Sequence, residues 1–208
     1  MSLEQTFLDM LPSLNRCQRN WKDDAVPQEH IDLLLKVANY APSKQNVNFF
    51  KVVAVTDAEH KKNLFRIADS QQGYADQGVV NYNTQVLAPL VLAFCINKDS
   101  TQDRMSENEK SERNYEVSAN LNIGIACGSV ATVASALGYA TGFCACFDEY
   151  KQADYFKELT GRDDLKGMLL LGIGIPDAEL PSNLCRDDAG RTYTRPRRVL
   201  ERPDPITL

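Results

Sequence analysis

Histidine is nearly absent. Only His30 and His60 occur in 208 residues, and the six cysteines form no Cys-x-x-Cys pair. Cys144-Ala-Cys146 would place two thiols on one side of a strand, but zinc then lacks two further ligands. A Ser-His-Asp or Cys-His nucleophile lacks its base for the same reason. No metal is expected. An excess of positive charge is also missing: 23 Lys+Arg stand against 28 Asp+Glu, a net charge of −5. That balance argues against a nucleic-acid binder, which carries a basic footprint. Repeats, low-complexity tracts and a signal-peptide pattern are likewise absent, and the cysteines read as small core residues. The expected setting is a reducing cytoplasm.

The largest gap is in charge. From Val117 to Phe147, 31 residues pass without one Asp, Glu, Lys, Arg or His. A bilayer span needs ~20 apolar residues, so the length alone would suffice. The contents argue otherwise, because Ser118, Asn120, Asn122, Ser129, Thr132 and Ser135 interrupt the run and small residues outnumber large ones. The pattern reads as a helix from about Glu112 to Leu137, buried all round, then a turn at Gly138 and an alternating strand over Thr141–Phe147. Gly124, Gly128, Ala131 and Ser135 form a small-residue stripe that lets a core helix or a second subunit approach closely. No membrane is expected.

Other elements are punctuated clearly. Pro27 opens a helix with Ile31, Leu34, Leu35 and Ala38 on one face, which ends before Pro42. Lys51–Thr56 reads as a buried strand, and Asp57 caps a helix over Asp57–Ala68. Leu90–Asn97 is a second buried strand. Asp148–Thr160 is an amphipathic helix closed by Gly161, and Met168–Ile175 is a central strand. Gly172-Ile-Gly174 lies within that strand and lacks the third glycine of a dinucleotide loop. Lys98–Glu116 is a charged, lid-like excursion, and about 181–208 forms an extended arm. The order implies one domain over 1–208, of α+β class with layered α/β/α architecture.

Three polar clusters interrupt this scaffold. They are Arg16-Cys-Gln-Arg19-Asn-Trp21, Ala41-Pro-Ser-Lys-Gln-Asn46 and Arg195-Pro-Arg197-Arg198. Taken singly, each reads as a basic turn, a helix stop with turn-forming Ser and Asn, and a solvated tail. Eight of twelve arginines, however, lie near the two chain ends. Two arginine clusters on an acidic chain point to convergence on a phosphate, which guanidinium forks bind by charge-assisted hydrogen bonds.

In this order the clusters resemble the signature of the FMN-dependent nitroreductase family. That family has an R-x-S-x-R-x-aromatic box, an A-P-S-x-x-N box about 25 residues later, and an A-P-hydrophobic strand entry. Ala88-Pro89-Leu90 matches the entry. Ala136-Leu137-Gly138 matches the A-L-G that ends the family's long small-residue helix, and a basic tail follows. The resemblance implies an intertwined homodimer around a mainly antiparallel sheet, with FMN in clefts between subunits. It implies an oxidoreductase that passes hydride from NAD(P)H through bound FMN to a small oxidised acceptor such as a nitroaromatic or quinone. Donor and acceptor would use one site in turn.

The same resemblance implies site residues. Arg16, Cys17 and Arg19 stand where the first box touches the flavin, Arg19 near its N1/O2 edge and Arg16 nearer the phosphate. Pro42, Ser43 and Asn46 would contact FMN bound mainly by the other subunit. Asn81 and Asn122 occupy positions beside the polar edge of the ring. Phe143, Cys144 and Ala145 match the strand beneath the flavin, with the Ala145 N–H directed to N5. Arg195 and Arg197 match a phosphate-gripping pair, assisted by Arg198. No side chain is expected to act as an acid or base; flavin N5 carries the chemistry.

Some positions depart from the family pattern. Cys17 replaces the usual Ser, Asn15 an Arg, and Ala145 a common Gly, while Asn48-Phe49 stands where Q-P is familiar. Other readings keep the fold and change the reaction to dehalogenation, substrate oxidation or flavin fragmentation. A non-catalytic FMN-binding protein and a dimer with no cofactor are the remaining classes.

Overall fold

Leu90–Asn97 is apolar at every position but the last, and in a computed structural model it becomes strand β2, buried along its whole length. The structure describes residues 2–14, 17–68, 83–97, 105, 110–146, 149–178, 184–186 and 192–194. Arg16, Asn81, Arg195, Arg197 and Arg198 lie outside these, as does most of the expected lid and arm.

β2 is interior because it has a partner on each side. β1 (Phe50–Val55), β2, β4 (Leu165–Gly174) and β3 (Ala140–Cys144) form one antiparallel sheet in the order β1-β2-β4-β3. β2 and β4 align Leu90 with Ile173 and Asn97 with Leu165, with a register shift between Phe94 and Cys95. Alternation along β2 then divides two cores. Leu90, Leu92, Phe94 and Ile96 pack beneath α2 (Gln28–Asn39) and α4 (Glu112–Ala136). Val91, Ala93 and Cys95 pack on α3 (Ala58–Ile67) and α5 (Glu149–Thr160). The expected α+β class and layered order are present. Strands β5 (Leu184–Arg186) and β6 (Thr192–Thr194) pair separately, so the tail read as extended contains a two-stranded ladder.

Three expectations change. β1 is an edge strand, and only two of its six positions, Phe50 and Val55, are buried. β3 stops at Cys144, so Cys146 does not share its face. The long helix has the expected bounds but is not covered all round. Tyr115, Ala119, Ile123, Ala126, Cys127, Val130 and Ala134 enter the core. Val117 (53%), Leu121 (66%) and Ile125 (49%) remain exposed on the opposite side. By length and composition Arg113–Ala136 could cross a membrane, but its inner face belongs to the core of this domain.

Helix ends follow the local chemistry. Gly138 (φ +87°) and Gly161 (φ +68°) take the left-handed conformation after α4 and α5. Asp57 caps α3, accepting from the Glu59 and His60 amides at 2.9 Å each. The bond from the His60 amide is the main reason its carboxyl titrates below the ordinary value. A folded value below the unfolded one gives stability that is present above the ordinary carboxylate range and lost as pH falls through the folded value. Asp57→Asn keeps a cap but removes this titration. Its melting temperature is expected to fall less steeply than the parent's below pH ~4; parallel acid limbs would contradict that assignment.

Candidate functional site

The segment after α1 (Leu3–Leu14) is stitched by its own backbone to β3 and to the residues just past β4. Gln18 N donates to Thr141 O at 2.8 Å, and Lys22 N donates to Ile175 O at 2.9 Å. Trp21 bridges to Pro176. Cys17 Sγ donates to Phe143 O at 3.3 Å, a distance ordinary for sulfur. Arg19 Nη1 donates to Cys17 O at 3.2 Å, which folds the guanidinium back over its own segment.

A buried 3-10 turn, Thr84–Leu87, closes over the same place. Thr84 Oγ1 donates to Arg19 O at 3.0 Å, and Trp21 Nε1 donates to Thr84 O at 3.1 Å. Gln85 Nε2 donates both to Phe143 O and to Asn83 Oδ1, each at 3.2 Å. The Phe143 carbonyl thus accepts from Cys17 and Gln85 together. Two buried polar atoms here have no protein partner, Arg19 Nε and Gln85 Oε1. Leaving such atoms unpaired costs ~1–3 kcal/mol apiece, more where charge is involved, so the place is suited to a polar ligand.

The turn can lie this close because the sheet offers no Cβ. A methyl on Gly172 would overlap the Gln85 carbonyl oxygen, and one on Gly142 would overlap the Gln18 carbonyl oxygen. On Gly174 it would come within 2.6 Å of Pro89 Cδ. The Gly-Ile-Gly run therefore serves strand packing, as the sequence pattern indicated. Gly172→Ala is expected to lower stability by about 1–3 kcal/mol. Its melting temperature should drop by roughly 2–4 °C for each kcal/mol; an unchanged thermal melt would show that the turn yields freely.

The second polar cluster builds a different wall. Residues 39–43, 46–48, Phe50, Lys51 and Asn122 line an open cleft of about 560 Å³. Asn122, buried on α4, donates Nδ2 to Pro42 O at 2.8 Å and so ties the loop to the long helix. Gln45 and Asn46 both have positive φ, 56° and 57°. Asparagine enters that region readily, whereas glutamine does so at a cost, a form of strain that clusters at ligand sites.

The structure thus brings Cys17, Arg19, Phe143 and Cys144 together, with Ala145 exposed just beyond the strand. It brings Pro42, Ser43, Asn46 and Asn122 together elsewhere. The first group is built on edge strand β3 and the second borders edge strand β1, three strand intervals away, roughly 14 Å. The sequence reading missed Asn83, Thr84 and Gln85. Their only signal was a short polar run shortly before an apolar strand, where surface residues are the default.

Among the described residues no group of three His, Cys, Asp or Glu could hold a metal ion. His30 Nδ1 lies 2.7 Å from Tyr139 Oη, and the His60 carbonyl accepts from Tyr155 Oη at 3.0 Å. Both histidines thus belong to helix-packing contacts.

Comparison with known proteins gives the family and the fold. The model of the nitroreductase family matches residues 15–175. An FMN reductase (NAD(P)H) of Bacillus subtilis strain 168 is 27% identical over 135 residues, covering 61% of this chain and 49% of its own. The chain therefore spans about half the length of that curated relative. A nitroreductase family protein from Clostridium novyi NT superposes with a TM-score of 0.62 at 18% identity, over 88% of this chain and 91% of that one. An NADPH:FMN oxidoreductase from Vibrio harveyi, complexed with NAD+, gives 0.59 at 17% identity, over 86% and 70%. At these identities the two structures establish the fold.

Proposed function

This chain belongs to the nitroreductase family, and from that premise we propose that it is an FMN-dependent NAD(P)H oxidoreductase acting on a small oxidised acceptor. The observation that carries the reading is the pair of unpaired polar atoms beside β3, a cationic donor on Arg19 and an acceptor on Gln85. Donor and acceptor together fit the polar edge of a flavin, which alternates acceptors with one N–H. When bound, FMN supplies two-electron chemistry between a nicotinamide and an acceptor.

The chain supplies position and charge. Arg19 and the end of β3, through Cys17, Phe143, Cys144 and Ala145, would hold the ring; Arg19 places fixed positive charge where a reduced flavin carries negative charge. Cys17 and Gln85 fix the Phe143 carbonyl, and with it the peptide that leads to the Ala145 N–H. Arg16, Arg195, Arg197 and Arg198 would take the phosphate, and Asn81 the ring edge.

Pro42, Ser43, Asn46 and Asn122 complete the same site from a second copy of the chain. The separation of the two polar walls supports this, since the flat ring of one flavin is shorter than the gap between them within one chain. The exposed row Val117, Leu121 and Ile125 supports it further, because apolar stripes of this kind mark association surfaces. The homodimer, alternating use of one site by donor and acceptor, and a cytoplasmic location are parts of this proposal.

Turnover assays test it. With FMN and without oxygen, the protein is expected to oxidise no more NADPH or NADH than its bound flavin accepts, and to turn over repeatedly once a nitroaromatic or a quinone is also supplied. Turnover of a halogenated phenol alone would instead favour a relative's reaction on the same fold, and bound FMN with no turnover would favour a binding protein.

A further inference from the structure

Three thiols gather at the end of β3, and the proposed reaction uses none of them as a redox group. Cys144 is the last residue of the strand, buried and paired opposite Leu170. Cys146 is exposed two residues later, beyond the strand. Cys144 Sγ lies 3.9 Å from Cys146 O. The two thiols are also hydrogen-bond neighbours, and Cys17 is near enough for its charge to act on Cys144. Cys95 and Cys127, by contrast, are single thiols inside the core.

A disulfide needs Cα atoms about 4.4–6.8 Å apart. Residues i and i+2 are at most about 7 Å apart even in a straight chain, and the two thiols are already hydrogen-bond neighbours. Bridging Cys144 to Cys146 therefore needs only local adjustment. We propose that Cys144 and Cys146 are a reversible dithiol–disulfide pair, oxidised by exchange with a small-molecule disulfide.

The order of steps follows from exposure. The exposed Cys146 thiolate attacks one sulfur of the small disulfide, forms a mixed disulfide and releases one thiolate, which takes up a proton. Cys144 then loses its proton and attacks Cys146 Sγ, and the second small thiol leaves. In total, one protein dithiol and one small disulfide become one protein disulfide and two small thiols. Burial pushes the Cys144 thiol up to about 12, so it cannot compete as first attacker, and its place inside the strand end makes it the resolving partner.

Ala145 lies inside the ring that such a bridge closes. Closing it re-aims the peptide that follows Cys144. Coupling to cofactor binding follows from this, and that clause alone rests on the proposed function.

The test uses the full chain, oxidised glutathione under nitrogen, and alkylation of remaining thiols before tryptic digestion. Residues 114–151 form one tryptic peptide containing Cys127, Cys144 and Cys146. The expected product is that peptide about 2 Da lighter, alkylated once instead of three times, and restored by dithiothreitol. Cys146→Ser is expected to abolish the product. Cys144→Ser is expected to stop at a glutathione adduct on Cys146. If Cys144→Ser fails to fold, Cys146→Ser still decides the point, since that side chain is exposed. Three alkylated thiols after oxidation, a stalled adduct in the parent protein, or a bridge to Cys17 would overturn the proposal. With FMN present, the bridged form is expected to release flavin several-fold faster. Equal release from both forms removes the coupling, and a bridged protein that takes up no FMN separates failure of the functional reading from failure of this one.

Discussion

Replacing Arg19 with alanine is expected to weaken FMN binding roughly 10- to 100-fold, since a charge-assisted hydrogen bond contributes ~1.5–3 kcal/mol. The guanidinium has two tasks that this change separates from bulk folding. It holds the Cys17 carbonyl through Nη1, and it presents an unpaired Nε beside β3. Both lie at the margin of the sheet, away from the two apolar cores, so the thermal melt without FMN should move little. Arg19→Lys restores charge but not the planar fork. It should recover only part of the affinity, as read by quenching of flavin fluorescence. Unchanged affinity in Arg19→Ala would place the cofactor elsewhere.

Leu121→Asp is expected to convert a dimer into a monomer and to remove FMN binding at the same time. Leu121 is two-thirds exposed in the single chain, and Val117 and Ile125 stand one helical turn to either side. Gly124 and Gly128 are open above their Cα atoms, so among the described residues nothing fills this face. A buried aspartate in a tight helix contact carries a desolvation cost with no partner to offset it. In a monomer the wall formed by Pro42, Ser43 and Asn46 cannot meet the wall formed by Arg19 and β3. Sedimentation read at protein and flavin wavelengths checks both halves. A variant that stays monomeric yet binds FMN as the parent does would refute the two-chain site.

Much of this was legible in the residues. β2 could be read because it is apolar without alternation, the pattern of a strand covered on both faces. The long helix could be read from its missing charge, and the caps at Asp57, Gly138 and Gly161 from local chemistry that needs no tertiary partner. What local pattern could not supply was the environment of each element. β1 reads as a buried strand, and only pairing order makes it an edge. Gln85 reads as a surface residue, and it is buried because Gly142 and Gly172, more than 50 residues away, let its turn descend onto the sheet. Cys146 reads as part of a strand whose last ladder pair is Cys144 with Leu170. The outer face of α4 was read as covered, and a single chain leaves it open. Each of these concerns contacts between segments distant in sequence.

The visible spectrum of the purified protein, before and after anaerobic addition of NADPH, tests the central claim most directly. The account expects the absorption of bound flavin at first, and its bleaching once the nicotinamide is added. A colourless protein that takes up no FMN at micromolar concentration, or bound FMN that NADPH and NADH both leave unbleached, would contradict it.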